Sequence, residues 1–233
     1  MKLLECKNLG KKYGDFWALT NVNLSVPSGG IVGLLGPNGS GKTTLIKLLT
    51  GLLQPSEGEI KIAGYSVGIE TKAIVSYLSD FYSLNQGYTV REELEYFSDF
   101  FPDFDRAKAE RMIFDLAIDQ RKKVKELSKG TKEKLALILT LARSARLYIL
   151  DEPIAGVDPA ARAYVLETIL KNRTDDSTIL LSTHLISEIE EYFDYVIFLR
   201  NGSVALEGSA QEIREEKGVS INELFKEIFK WTI

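Results

Sequence analysis

The sequence is poor in cysteine, since Cys6 is the only one in 233 residues. A single cysteine excludes an internal disulfide and a cysteine-rich metal cluster. Cys6 lies near the N-terminus in a segment of alternating apolar residues, so we interpret it as a core side chain. This cysteine usage fits a protein of the reducing cytoplasm.

Long hydrophobic runs are missing as well. The longest apolar stretch, residues 135–142, is much shorter than the roughly 20 residues that a transmembrane helix requires. We interpret this stretch as a buried helix. The first residues also lack the apolar core of a signal peptide. We therefore expect a soluble chain whose membrane role, if it has one, depends on a partner.

The sequence has no strong excess of charge of one sign, with a net charge of −4 at pH 7. Proteins that bind nucleic acid through a basic face carry the opposite sign, so we expect no nucleic-acid partner. The hydrophobic content of 45% is ordinary for a globular protein. The length suits one α/β domain, or such a core with a subdomain.

What the sequence does contain is a phosphate-binding P-loop. Residues 36–43 read Gly-Pro-Asn-Gly-Ser-Gly-Lys-Thr, which fits G-x-x-x-x-G-K-[ST]. The glycines let backbone N–H groups point inward and form a cradle for anionic oxygens. Lys42 is placed to reach the β- and γ-phosphates, and Thr43 to ligand Mg²⁺. A predicted strand precedes the loop and a helix follows it, so the helix N-terminus would face the phosphates.

Strand-like and helical segments alternate along most of the chain. Apolar runs predict strands at 3–8, 19–26, 31–35, 58–62, 74–78, 147–150, 178–182, 196–199 and 204–207. Helical spacing predicts helices after the P-loop, at about 89–118, 130–144, 159–172 and 185–193, and at the C-terminus. The alternation indicates a largely parallel sheet with both faces covered.

The middle of the chain breaks this alternation. Residues 89–146 contain no clear strand and hold an aromatic cluster at 96–101. We interpret this part as a helical subdomain inserted into a nucleotide-binding core. The predicted division is a core of residues 1–87 and 146–210, a helical subdomain of residues 88–145 and a helical tail of residues 211–233.

Two carboxylates follow the predicted strand at 147–150. Ligands of open α/β sheets bind at the carboxyl ends of the strands. There Asp151 would hold Mg²⁺ as a Walker-B aspartate does, and Glu152 would orient or deprotonate the attacking water. His184, the only histidine, follows another predicted strand and falls at the same edge. A contact of His184 with the γ-phosphate or the attacking water is geometrically reasonable.

Further motifs, in a fixed order, resemble the ATP-binding subunit of ABC transporters across essentially the whole chain. They are Leu127-Ser128-Lys129-Gly130, Asp151-Glu152-Pro153, Gly156-Val157-Asp158 and Ser182-Thr183-His184. The resemblance implies an α/β P-loop NTPase (RecA-like) core with a mainly parallel sheet, an N-terminal antiparallel β subdomain and an inserted α-helical subdomain. It implies ATP and Mg²⁺ as ligands, with ATP held by Gly36, Asn38, Gly39, Ser40, Gly41, Lys42, Thr43 and Thr44.

The resemblance also implies roles for residues outside the P-loop. Tyr13 lies where the family stacks an aromatic ring on adenine. Ser128 and the Gly130 amide would bind the γ-phosphate of ATP held by a second subunit. Asp158 matches the D-loop, which runs between the two sites of a dimer, and His184 matches the switch histidine. Each site would therefore be completed by a second chain.

Two positions depart from the family pattern. The usual signature is Leu-Ser-Gly-Gly-Gln, and here Lys129 and Thr131 are the residues that differ, while the phosphate donors are kept. At the Q-loop, Asp80 stands where glutamine normally ligands Mg²⁺, and Gln86 is the alternative candidate. An aspartate oxygen is a suitable hard ligand for Mg²⁺. The departures resemble the drug- and peptide-export branch, which includes the YtrB-type and bacitracin-export-type ATPases.

The resemblance thus implies an ATPase that powers a separate multi-span membrane permease, in the export direction by analogy with that branch. It implies a second ABC ATPase chain, identical or different, and a place on the cytoplasmic face of the membrane through the permease. The alternative is an ATP-dependent clamp or regulatory module that moves no solute. The acidic net charge and the single compact cassette argue against that alternative. A degenerate partner of a heterodimer is disfavoured because Lys42, Asp151, Glu152 and His184 are all present.

Overall fold

The computed structural model describes residues 2–79, 84–154, 157, 159–171 and 176–230. In chain order the strands are Lys2–Tyr13 (β1), Phe16–Pro27 (β2), Gly30–Leu35 (β3), Glu57–Ile62 (β4), Tyr65–Ser66 (β5), Val75–Leu78 (β6), Leu147–Asp151 (β7), Thr178–Ser182 (β8), Tyr195–Arg200 (β9) and Ser203–Ser209 (β10). The α-helices are Lys42–Leu49 (α1), Ile69–Ile74 (α2), Val90–Phe100 (α3), Arg106–Asp115 (α4), Lys129–Leu141 (α5), Pro159–Lys171 (α6), Ala210–Lys217 (α7) and Ile221–Phe229 (α8).

The central sheet has the strand order β10-β9-β3-β8-β7-β6. All neighbours in it are parallel except β10, which pairs antiparallel with β9. Ser182 at the end of β8 is in register with Leu34 of β3 and with Asp151 of β7. The carboxyl ends of these three strands therefore meet at one edge, where the P-loop, the two carboxylates and His184 follow them.

A second, antiparallel sheet has the order β2-β1-β4-β5. It is built from the N-terminal part of the chain, and the helices α3, α4 and α5 lie between β6 and β7 in sequence. The predicted fold class is therefore confirmed. Among the described residues, no helix is both long and apolar enough to cross a membrane.

The central sheet separates two hydrophobic cores. Tyr148 and Leu150 of β7 pack into the core beneath the helices α3 to α5, whereas Leu147 and Ile149 pack into the core beneath α1 and the antiparallel sheet. Successive side chains of a strand point to opposite faces, so a run that is apolar throughout fills both cores. This double burial fixes β7, and with it the two carboxylates at its end.

Two of the predicted helices were wrong in detail. The helix predicted at 89–118 is two helices, because Pro102 disfavours helical backbone at Phe101, which is extended. Asp105 then caps α4 by accepting from the Lys108 amide at 2.8 Å. The helix predicted at 185–193 is two 3₁₀ turns, Ile186–Glu188 and Glu190–Tyr192. Ile186 and Ile189 are both buried, and residues three apart share one face in an α-helix as well as in a 3₁₀ turn, so the apolar spacing did not distinguish the two.

Two short elements, β5 and α2, were not predicted, and Ile74 ends α2 instead of starting a strand. α2 leads directly into β6, to which the buried guanidinium of Arg143 is bonded. Arg143 donates to the carbonyls of Val75 at 2.8 Å and Ala73 at 3.1 Å. It also pairs with Asp103 at 3.0 Å and lies 4.2 Å from the centre of the Phe101 ring. These contacts anchor the end of the inserted helical region to the start of β6.

Candidate nucleotide site

The P-loop forms one wall of a cleft of about 430 Å³. Its other walls come from the hairpin that joins β1 to β2 and from the end of β7. The lining residues are Tyr13, Phe16, Ala18, residues 38–44, Asp151 and Glu152. Most of the residues predicted to bind nucleotide within one chain therefore share one cavity.

Backbone sterics explain the glycines of the loop. Gly39 and Gly41 have φ angles of 79° and 108°, in the region that side chains with a Cβ rarely adopt. A Cβ on Gly41 would approach the Leu19 side chain at 2.7 Å, and one on Gly36 would meet both the Leu199 carbonyl and Ser40 Oγ at 2.5 Å. Gly36 is thus needed for packing beneath the loop, whereas Gly39 faces open space.

Lys42 carries the positive charge of the cleft. Its buried ammonium donates to the carbonyls of Gly36 at 2.7 Å and Pro37 at 3.2 Å, which hold it across the loop. Burial lowers the pKa of Lys42, and the nearby carboxylates of Glu152 and Asp151 partly offset this shift. An anion bound in the cleft would therefore add a direct charge partner for this buried ammonium, whose hydrogen-bond acceptors are neutral carbonyls.

The donor set fits the triphosphate of ATP. Ser40 Oγ is buried and makes no hydrogen bond to any of the described residues. Orphaned buried hydroxyls are uncommon, and this one lies in the same loop as the Lys42 ammonium and the start of α1. A helix N-terminus, an ammonium and an unpaired hydroxyl are suitable donors for phosphate oxygens. Tyr13 and Phe16 add exposed aromatic surface at the cleft entrance.

Asp151 is held by a serine from the neighbouring strand. Ser182 Oγ donates to Asp151 Oδ1 at 2.6 Å, and both residues are buried. The Glu152 amide in turn donates to Ser182 Oγ at 3.0 Å. Glu152 has a φ of 51°, in the left-handed region that residues with a Cβ rarely adopt. One hydroxyl thus orients both carboxylate residues.

His184 and Glu152 form a carboxylate–imidazole pair. His184 Nδ1 lies 2.9 Å from Glu152 Oε2, and the His184 amide donates to the same oxygen at 3.4 Å. His184 does not itself line the cleft, and its imidazole is more than half exposed, whereas the Glu152 carboxylate is mostly buried. The prediction that both residues meet at one sheet edge is confirmed.

The segment 127–131 lies apart from this cleft. Ser128 is exposed and caps α5, accepting from the Thr131 amide at 3.2 Å. Its hydroxyl is also 2.8 Å from Thr131 Oγ1. A Cβ on Gly130 would meet no atom within 4 Å, so the start of α5 is open to approach. Lys129 is highly exposed and faces Glu133 at 3.9 Å.

A family model described as "ABC transporter" matches residues 19–155, which is more than half of the chain. The chain belongs to the ABC transporter ATP-binding family. A shorter match, over residues 123–190, is to a model described as "AAA domain, putative AbiEii toxin, Type IV TA system". It falls within the region that contains the signature, β7 and β8 of this ABC subunit.

Named relatives of the ABC subunit cover nearly its whole length. A daunorubicin resistance ATP-binding protein of Streptomyces coeruleorubidus is 35% identical over 89% of this chain and 68% of its own. A lantibiotic transport ATP-binding protein of Streptococcus pyogenes is 32% identical over 88% of this chain and 90% of its own.

A solved ATP-binding subunit of an ABC transporter superposes with a TM-score of 0.86 at 33% identity, covering 97% of this chain and 98% of that one. A cassette solved in its ADP conformation gives 0.79 at 26%, covering 99% of both chains. The resemblance deduced from the motifs is thus confirmed, and this chain is an ATP-binding and ATP-hydrolysing subunit.

Two of the predicted residues, Asp80 and Asp158, lie outside the described residues. Gln86, the alternative to Asp80, is described and does not line the cleft. Its side chain donates to the Leu84 carbonyl at 3.2 Å and accepts from Lys132 of α5 at 3.0 Å. In this conformation Gln86 serves the helical region and not the phosphate cradle.

Sequence reasoning missed two residues of the ABC site. Ser182 received no role of its own, although a serine that ends an otherwise apolar strand is a detectable signal. Phe16 was also missed. It pairs with Tyr13 across a two-residue turn, so both rings line the same side of the hairpin. Pairing across a turn depends on the hairpin register, which the pattern of apolar residues did not specify.

Replacing Ser182 with alanine should lower kcat about tenfold while the KM for ATP stays within about twofold, because a buried hydrogen bond to a charged group is lost. The carboxylates would lose their orientation, but the P-loop would remain. Steady-state kinetics of the purified subunit measure this. Ser76→Ala is the matched control, since Ser76 is a buried serine of the same sheet bonded to the Thr140 carbonyl. An equal loss of kcat in both variants would assign the effect to the sheet and not to the site.

Proposed function

We propose that two copies of this cassette, or one copy and a similar chain, enclose ATP between the P-loop of one and the signature segment of the other. The observation that carries this proposal is the division of the phosphate-binding groups. Lys42, Asp151 and Glu152 line one cleft, whereas Ser128 and Gly130 lie at the open N-terminus of α5, which does not line it. An exposed serine cap and helix N-terminus are suited to meet a phosphate on another surface.

Within one site the residues divide the chemistry of hydrolysis. Glu152 accepts a proton from the attacking water. The hydrogen bond from the Glu152 amide to Ser182 Oγ fixes the backbone that carries this carboxylate. His184 holds the Glu152 carboxylate through Nδ1 and presents its other ring nitrogen away from that bond. Lys42 and the loop amides stabilise the charge that moves onto the β- and γ-phosphate oxygens. In this proposal Tyr13 stacks on the base, and Asp158 has the role of the D-loop aspartate of the family.

The residues present also suit Mg²⁺. Thr43 lines the cleft together with Asp151, whose Oδ1 accepts from Ser182. Within the described ranges, no three His, Cys, Asp or Glu side chains gather into a metal site. That fits Mg²⁺, which is held by one or two protein oxygens together with substrate phosphates. Asp80 completes the proposed set, and the bound ion would neutralise charge on the phosphates.

We further propose that the subunit powers export through a separate multi-span permease, at the cytoplasmic face of the membrane. Support comes from the relatives, whose names refer to daunorubicin resistance and lantibiotic transport. A third relative is named a Nod factor export ATP-binding protein, from Burkholderia orbicola. The partner would dock on the helical region and on the segment that follows β6.

Mixing two inactive variants tests the shared site. Lys42→Ala disables the P-loop and Ser128→Arg disables the signature, so each variant alone should be inactive. If sites form between chains, a mixture should regain about a quarter of wild-type ATPase activity, since half of the dimers are mixed and each contains one intact site. ATPase activity against mixing ratio measures this.

The control mixture combines Lys42→Ala with Glu152→Gln. Both changes lie in the same half of the site, so no mixed dimer contains an intact one, and no activity should return. Failure of the first mixture to regain activity, with an active wild-type protein, would show that Ser128 does not act on the partner's ATP.

A further inference from the structure

A second cleft of about 410 Å³ lies between α4 and α6, away from the P-loop. It is similar in size to the nucleotide cleft, and its walls belong to different parts of the fold. α4 is in the inserted helical region, whereas α6 follows β7 in the core. Any ligand bound here would contact both parts.

The cleft is lined by cations on both walls. Lys108 and Arg111 of α4 are three residues apart and share one face of the helix. Lys171 and Tyr164 line the opposite wall, which α6 provides. Among the described residues, Asp115 is the only carboxylate in the lining. The lining therefore holds three cations and one carboxylate, in a chain whose net charge is −4.

The three cations differ in their existing partners. Lys108 donates to the Leu141 carbonyl at the end of α5, at 2.6 Å, which uses one of its three hydrogens and fixes the ammonium in place. Lys171 pairs with Glu167 one turn earlier, at 2.7 Å. No ion pair within the described part of the chain involves Arg111. Arg111 thus retains a full set of donors for an incoming anion.

The lowered pKa of Lys108 also favours anion binding in this cleft. Burial lowers the pKa of the Lys108 ammonium, Asp105 offsets part of the shift, and the positive charge of Arg111 lowers the pKa further. A partly buried ammonium beside a like charge is stabilised when an anion binds between them. A guanidinium, two ammonium groups and a tyrosine hydroxyl form a donor set suited to phosphate oxygens.

We propose that the cleft between α4 and α6 binds the phosphate group of a small anion, with Arg111 and Lys171 as its main contacts and Lys108 as a fixed third donor. The phosphate could belong to a soluble metabolite or to the headgroup of an anionic lipid. In either case it would link the helical region to the core at a position separate from the catalytic cleft.

Pyrophosphate titrations by calorimetry test this proposal on the full chain carrying Lys42→Ala, which weakens binding at the P-loop. We expect one saturable site per chain. Arg111→Gln and Lys171→Gln should each weaken it about tenfold, as expected for loss of one charge-assisted contact. Arg121→Gln is the matched control, because Arg121 is an exposed arginine of the helical region outside the cleft. It should leave affinity within about twofold, given the small effect of exposed charges.

A second arm measures co-sedimentation with vesicles containing phosphatidylglycerol. Vesicle binding that Arg111→Gln removes, without pyrophosphate binding, would support the same site with a lipid headgroup as the source of phosphate. Binding of neither probe would overturn the proposal. So would binding of either probe with an affinity that Arg111→Gln and Lys171→Gln leave unchanged. Both substituted residues are exposed, so the variants should fold, and melting temperatures verify that.

Discussion

Replacing Glu152 with glutamine should reduce ATP hydrolysis about a thousandfold while ATP binding is retained, since general-base catalysis contributes about 10²–10⁴-fold. Glutamine keeps the size of the side chain and can keep a hydrogen bond to His184, but it cannot accept the proton of the attacking water. The P-loop and Lys42 are unchanged, so nucleotide should still bind. With turnover blocked, ATP should hold two chains together, and size-exclusion chromatography should show a dimer that depends on ATP.

Glu191→Gln is the control for this experiment. Glu191 is an exposed carboxylate a few residues after His184 and does not line the nucleotide cleft. Its activity should remain within about twofold of wild type, as is usual for surface substitutions. Hydrolysis by Glu152→Gln at the wild-type rate would show that Glu152 is not the base and would transfer that role to another residue of the cleft.

The second large effect is expected on stability, from Arg143→Met. Methionine fills similar space but donates no hydrogen bonds, so Asp103 and the carbonyls of Ala73 and Val75 lose their partner. Breaking a buried ion pair in this way costs about 3–5 kcal/mol. For a protein of this length the melting temperature should fall by roughly 6–20 °C. Denaturant unfolding and thermal melts of the purified subunit measure both quantities.

Arg121→Met is the control, because it removes an arginine charge and an ion pair without removing buried contacts. Arg121 also pairs with an aspartate, at 3.1 Å, but its side chain is 84% exposed, and such pairs contribute at most about 1 kcal/mol. The double variant Arg143→Met with Asp103→Leu should recover part of the loss, since no unpaired charge remains. A loss below about 1 kcal/mol for Arg143→Met would mean that the helical region is anchored to the core by other contacts.

The positions of the P-loop, the two carboxylates and His184 at one sheet edge could be predicted because the sequence signals for them are local. The P-loop and the carboxylates after β7 are short motifs at the ends of apolar strands. Parallel strands in one sheet bring their carboxyl ends together, which also placed His184. The central strands β3, β7 and β8 could be predicted because a run that is apolar throughout needs two buried faces, which a central strand provides.

What the sequence did not predict depends on register or on competing local contacts. Ser182 orients Asp151 only because β7 and β8 pair with these residues opposite each other. Phe16 lines the cleft because the register of the hairpin pairs it with Tyr13. The turns after His184 have an apolar spacing that an α-helix would also accept, because residues three apart, such as Ile186 and Ile189, share one face in both conformations. The role of Arg143 could not be predicted from the sequence, because its four partners come from two separate segments, residues 73–75 and 101–103.

Because Arg143 anchors one end of the helical region, a rotation about this residue would move the other end of α5 the most. α5 ends at Leu141, close to this anchor, and begins at Lys129. At 1.5 Å per residue, its 13 residues span about 20 Å, so Ser128 lies about that far from the anchor at Arg143. A turn of α5 by about 10° would carry Ser128 through about 3–4 Å. That is the difference between a hydrogen bond to phosphate and none. In the proposed dimer, a small rotation of the helical region about Arg143 would therefore produce a displacement of several ångströms at Ser128.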